Sequence, residues 1–290
     1  MSWVARVTAA TGAHLTSVGE ALGGAKKVAV PQVQRITYAD LRLALRLGID
    51  DFATFRTDVI MICVFYPVAG AILAWVAFDR ELLPILFPMI SGFALIGPVA
   101  AVGLYEMSRR HEKGLETSWA DAFGVLRSPA FGAIFVLGLA LFMLFAVWLL
   151  VASWIYGLTM GPEAPASIMS FARDVVGTTA GWTMIVVGMA VGFCFAVTVL
   201  VVSVVSFPLL LDRNVGVPMA VITSIRVART NPGPVAAWGL IVAGLLVLGS
   251  VPLFLGLIVV MPILGHATWH LYRRAVAPAE GRSSGVRRRG

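Results

Sequence analysis

Residues 131–157 read FGAIFVLGLALFMLFAVWLLVASWIYG, without one charged side chain. A bilayer's hydrocarbon core, roughly 30 Å thick, takes about 20 helical residues to cross. A run this long and apolar fits a membrane span rather than a face of a soluble domain. Five more stretches share its character, at 59–78, 82–105, 181–211, 234–250 and 252–272. The last two nearly adjoin, and as one helix at about 1.5 Å per residue they would be almost twice too long. Gly249, Ser250 and Pro252 mark a tight turn between them. The reading is therefore all-α: a polytopic membrane bundle of six transmembrane helices.

Composition agrees, with mean hydropathy +0.90, 59% hydrophobic and 13% charged residues, values that belong to integral membrane chains. With both termini in the cytoplasm, six crossings place 20 of the 22 Lys and Arg on that side and leave only Arg80 and Arg173 outside. Such a bias orients short loops inward. The net charge of +7 thus argues for anionic lipid headgroups as partners and not for nucleic acid. Arg287, Arg288 and Arg289 read as part of a solvated, lipid-facing tail.

Four regions follow: a mobile N-terminal segment (1–30), cytoplasmic interfacial helices (31–58), the six-helix transmembrane domain (59–272) and a basic cytoplasmic tail (273–290). No signal-peptide pattern is expected in the first 58 residues. Thr37 and Asp40 have capping-box spacing for a helix over 38–47, which Gly48 should end. Asp50 and Asp51 are then expected to cap a second turn, 52–57, before the first crossing.

The loops show an internal similarity. After Pro98 the chain exits, passes Gly114 and meets Ser128-Pro129; after Pro208 it exits, passes Gly216 and meets Asn231-Pro232. Each interval predicts a short amphipathic helix. In the first, Ser118 and Asp121 form a capping box before Ala122, Phe123 and Leu126; in the second, Pro218 starts a helix with Met219, Ile222 and Ile225. Two cytoplasmic interfacial-helix elbows are expected. Gly181, Gly188 and Gly192 form a small-residue seam on the fourth crossing, where a partner helix would approach closely.

Several segments together resemble one known family. They are Gly48 to Phe52, Gly97-Pro98, Gly103 to Arg110, Gly114 and Trp119 to Phe123 in the first half. In the second half they are Phe207 to Arg213, Thr223-Ser224, Asn231-Pro232, Trp238-Gly239 and Gly265 to Arg274. Over about 31–275 the chain resembles the uncharacterised bacterial integral membrane family called domain of unknown function 2189. The resemblance implies a multi-helix protein of the bacterial inner membrane, for which the charge bias predicts N-in and C-in, and it carries no substrate, cofactor or reaction.

Chemistry-bearing residues are few. Cys63 and Cys194 lie in separate crossings, form no CxxC pair and read as small packed hydrophobes. A haem–copper subunit needs several histidines deep in its crossings, whereas here His14 and His111 lie outside them. His266 and His270, four apart near the end of the last crossing, are the weak candidates for a metal or haem. A third ligand is not evident beside them, so headgroup contact is the simpler reading. Glu106 can pair with Arg110. Arg109, Arg110, Arg273 and Arg274 are candidate lipid or partner contacts, together with the glycine seam. The apolar runs hold no Asp, Glu, Lys or Arg before their exits, which argues against ion-coupled transport, and no Walker, G-x-S-x-G or H-E-x-x-H motif appears.

The expected function is non-enzymatic, with no catalytic residue and no cofactor: an accessory or assembly factor binding another membrane complex. The alternatives are an uncoupled transporter or channel for a lipid or small apolar solute, and metal or haem handling through His266 and His270.

Overall fold

A computed structural model describes residues 30–63, 68, 72, 75 and 82–278. Most of the first predicted crossing, the segment 1–29 and the tail beyond 278 lie outside the described residues, and with them His14, Arg80 and Arg287 to Arg289. All named elements are helical, and the described residues contain no strand beyond a single antiparallel bridge between Val33 and Val276.

The first helix, α1, spans Tyr38–Cys63. Its start is the expected capping box: Asp40 Oδ2 accepts from Thr37 N–H at 2.8 Å, and Asp40 N–H reaches back to Thr37 Oγ1. It does not stop at Gly48, nor do Asp50 and Asp51 open a new turn; both lie mid-helix. The reason is tertiary. The last helix, α10 (Leu257–Ala275), crosses α1 so closely that a Cβ on Gly48 would fall 2.7 Å from Ala267 Cβ and 2.8 Å from the Ile263 carbonyl. Glycine here serves backbone approach and not termination, and this is the most extensive contact between the described helices.

Between them the chain forms two units of the same outline. In the first, α2 (Leu86–Ala100) is interrupted at Ala101, and α3 (Val102–Glu112) carries the chain to Gly114, which holds φ +67°. A 3₁₀ helix over Trp119–Arg127 follows, with the capping box present at Ser118 and Asp121, and α4 (Phe131–Thr159) returns. A short outer helix, α5 (Ile168–Gly177), leads into α6 (Thr179–Ser203), which breaks at Val204 and Val205 before α7 (Ser206–Asp212). Gly216 at φ +75° then precedes α8 (Val217–Thr230), and α9 (Pro232–Ser250) returns. Pro218 does sit in the first turn of α8. The first linking helix is 3₁₀, where an ordinary amphipathic helix was expected.

Among the described residues, three stretches are long and apolar enough to cross a membrane: Phe131–Thr159, Thr179–Asp212 and Pro232–Ser250. The predicted second crossing is divided between α2 and α3, and the sixth carries His266, His270 and two arginines along α10. Pro252 does fall in a turn, residues 251–256, where Leu253 and Phe254 hold positive φ.

The tightest packing is at one end, where α1, α3, α7 and α10 meet. Leu41, Leu104, Met107, Phe207, Leu210, Trp269 and Tyr272 are almost inaccessible there, and residues 206–211 of α7 are buried throughout. The long spans are by contrast open. The expected glycine seam divides: a Cβ on Gly181 would run into the carbonyls of Asp174 and Val175, one on Gly192 would lie 3.0 Å from the Trp148 ring, and one on Gly188 would meet nothing within 4 Å. A Cβ on Gly256 would lie 2.8 Å from Gly249 Cα, so that turn depends on backbone against backbone.

Overpacking costs about 1–3 kcal/mol where backbones cannot retreat. Gly48→Leu and Gly256→Leu should therefore lower the detergent melting temperature by several degrees, and Gly188→Leu should leave it within error. Equal losses at Gly48 and Gly188 would show that α1 and α10 are not held in this contact.

Candidate functional site

Asp51 is 5% exposed on α1, and an ionised carboxylate there requires partners. Three side chains supply them. His111 Nδ1–H donates to Oδ1 at 2.8 Å; Ser108 O–H and His270 Nε2–H donate to Oδ2 at 2.6 and 2.9 Å. Ser108 and His111, three apart, project from one face of α3. His266 and His270, four apart, do the same on α10. Two helices thus each present a polar pair to one acid on a third.

Ser108 also lies 2.7 Å from His266 Nδ1. A hydroxyl has one proton, and Asp51 takes it. His266 must then donate through Nδ1–H, which fixes its tautomer and leaves Nε2 as an acceptor. That nitrogen is fully buried and has no hydrogen-bond partner among the described residues. The serine is the middle member of a carboxylate–hydroxyl–imidazole chain, so the imidazole does not draw off its proton as a nucleophile's base would. Phe55 stacks edge-on to His111 at 5.1 Å and walls the site.

Burial by itself would raise the Asp51 pKa. The hydrogen bonds from His270, Ser108 and His111, with the charge interaction of His270, outweigh it and hold the carboxyl well below the usual range. Asp40 and Asp121 are also lowered, first by the backbone N–H groups of Thr37 and Ser118 respectively.

A second set of pairs lies alongside. Glu112 accepts from Trp269 Nε1 at 3.1 Å and from Arg273 Nε at 3.0 Å. Asp212 accepts from Tyr272 Oη at 2.8 Å, with Arg213 and Arg273 each 3.7 Å away. Glu106 pairs with Arg109 through two hydrogen bonds, at 2.8 and 2.9 Å, and not with Arg110 as its spacing had allowed. Arg109 also donates to the Leu211 carbonyl, joining the first unit to the second. Arg110 turns instead to Asp121 at 3.2 Å and to the Glu116 carbonyl. Arg213 reaches the Ala277 carbonyl. Asn231, at the α8–α9 corner, accepts from Ile36 N–H and donates to the Gln34 carbonyl, which pins the segment before α1.

The structure therefore draws His266 and His270 into one cluster, but His266 faces the protein interior and not a headgroup layer. Arg109, Arg110 and Arg273 are occupied by internal partners. Arg274 is half exposed and only 3.8 Å from Asp40. The missing neighbours of the histidine pair, Asp51 and His111, come from helices remote in sequence. Among the described residues no group of three or more His, Cys, Asp or Glu is placed to hold a metal ion. Cys194 is free and exposed on α6.

These helices carry a family pattern. Residues 86–212 match the model of a family described as predicted integral membrane protein (DUF2189). The match takes in α2 to α7, with Ser108, His111 and the Glu106–Arg109 pair. It does not extend to α1 or to α8–α10, where the other segments of likeness lie. No curated protein and no solved structure matches the chain.

An aspartate ionises near pH 3.9 in an unfolded chain. Because folded Asp51 is held lower, its contribution to stability is complete above about pH 5 and drains away as acidity carries the carboxyl toward its depressed value. Asp51→Ala should cost about 3 kcal/mol, and Asp51→Asn should flatten the acid limb of the stability–pH curve. An unaltered acid limb in Asp51→Asn would show that the carboxylate is not the group being protected.

Proposed function

We infer that this protein is a non-enzymatic membrane accessory factor, one that binds or assembles another membrane complex through the sides of its apolar helices. The observation that carries this reading is α6. Its most apolar stretch is only 6% buried within the chain, while Trp182, Val186, Met189 and Phe193 stand exposed on it. Gly188 lies on another side of α6, with open space before it. The ionisable groups at the other end are paired with one another, and Ser108, which touches both an acid and an imidazole, is buried. Both features favour binding over catalysis.

A second reading, passage of a lipid or small apolar solute, draws support from an apolar groove of about 430 Å³ beside α4. Metal or haem handling by His266 and His270 loses support, since their nitrogens face Asp51, Ser108 and the packed interior.

The proposed arrangement is six crossings in a bacterial inner membrane, with both termini and both linking helices inside. The exposed face of α8, Pro218, Ile222, Arg226 and Arg229, mixes apolar and basic side chains as an interfacial helix does. Cysteines introduced near Gly161 should react with an impermeant reagent applied from outside, and those near Gly114 or Gly216 should not. The reverse pattern would overturn the orientation.

If α6 is a docking face, purification in mild detergent should give a second membrane protein at fixed stoichiometry. Val186→Trp should remove it without lowering the melting temperature. A wild-type chain that elutes alone with lipid would refute the accessory reading.

A further inference from the structure

The arginines expected to meet lipid are largely engaged inside the protein, which moves the question to the cations that remain on the surface. Arg127 is exposed in the last turn of the 119–127 helix. Asp121, the acid of that helix, holds Arg110 and the Ser118 N–H. In the chain Arg127 falls between Leu126 and Phe131, both of which line the 430 Å³ groove.

The groove is bounded by the α2–α3 break, the 119–127 helix and α4. Its floor closes where two glycines let the helices meet: a Cβ on Gly103 would lie 3.0 Å from Ala122 Cβ, and one on Gly138 would lie 3.3 Å from Val99. Phe123, Phe135, Leu139 and Phe142 stand exposed along its opening. The α4 lining runs from Phe131 to Phe142, which at helical rise is about 16 Å. An apolar channel of this kind offers no polar partners to hold water. A single extended hydrocarbon chain can lie along that length.

We propose that this groove is a phospholipid site, in which one acyl chain of an anionic lipid lies along α4 and its phosphate meets Arg127. A guanidinium binds phosphate through two parallel N–H···O contacts, and Arg127 is exposed on the linking helix next to Leu126, which lines the groove. Arg127 selects the charge of the headgroup, and the groove selects a chain over a compact solute. The site goes beyond the accessory role and stands whether or not α6 docks on a partner.

The test uses the full chain in nanodiscs containing equal parts phosphatidylglycerol and phosphatidylcholine, followed by release into detergent and native mass spectrometry. Wild type should retain about one phosphatidylglycerol per chain. Arg127→Gln should reduce that several-fold with little change in phosphatidylcholine. Leu139→Trp, which fills the groove at an exposed position, should remove both. Leu240→Trp, on the exposed face of α9, serves as a control for added bulk and should match wild type. Retention unchanged in both Arg127→Gln and Leu139→Trp would overturn the site. So would a wild-type dimer that Leu139→Trp splits without altering lipid, because the groove would then hold a second copy.

Discussion

One carboxylate in an apolar setting organises the densely packed end of this molecule. Asp51 accepts hydrogen bonds from Ser108, His111 and His270, side chains that reach it from α3 and α10. Leaving such a charge without partners would cost several kcal/mol, so α1, α3 and α10 must arrive together or not at all. The demand is geometric as well as energetic. Ser108 has only one proton to give, and that single choice propagates to the tautomer of His266. A register shift of one residue in either helix would carry its polar pair off the face that meets Asp51.

Close approach makes the arrangement possible. Gly48 removes the side chain that would otherwise keep α10 away, and Ala267 faces it from the other side. With the backbones this near, His266 and His270, which flank Ala267 along α10, come within reach of Asp51 and its serine. Glycine and aspartate three residues apart on α1 therefore act as a unit: the first sets the distance and the second rewards it. The Glu112 and Asp212 pairs then fasten the last turns of α10 to α3 and α7.

This also explains what could be read in the sequence and what could not. The three spans, the two capping boxes, the first-turn Pro218 and the turn at Pro252 are local, set by composition or by residues within four of one another, and such signals are legible without a fold. Gly48 misleads because the same residue type ends a helix or admits a neighbour, and only the neighbour decides. Glu106 had two arginines within reach of one helical turn, and Asp121, from another element, takes Arg110 away. Asp51 is separated from His111 by 60 residues and from His270 by 219, so no spacing rule connects them. The one available hint was the helical spacing of polar residues at 108 and 111, and at 266 and 270, near the ends of two helices.

The two ends of the molecule obey different solvents. Where charges and hydroxyls gather, the acids are paired within the protein, and the helices that carry them are held in a densely packed junction. Along α4, α6 and α9 a hydrocarbon surrounding asks for no such matching, because lipid chains are as apolar as the leucines they touch. Helices there need not pack against one another to be stable, and the exposed side chains of Val186, Phe193, Leu240 and Val247 carry no penalty in a bilayer. A chain built in this way keeps its shape from the junction and leaves its spans available to whatever lies beside them.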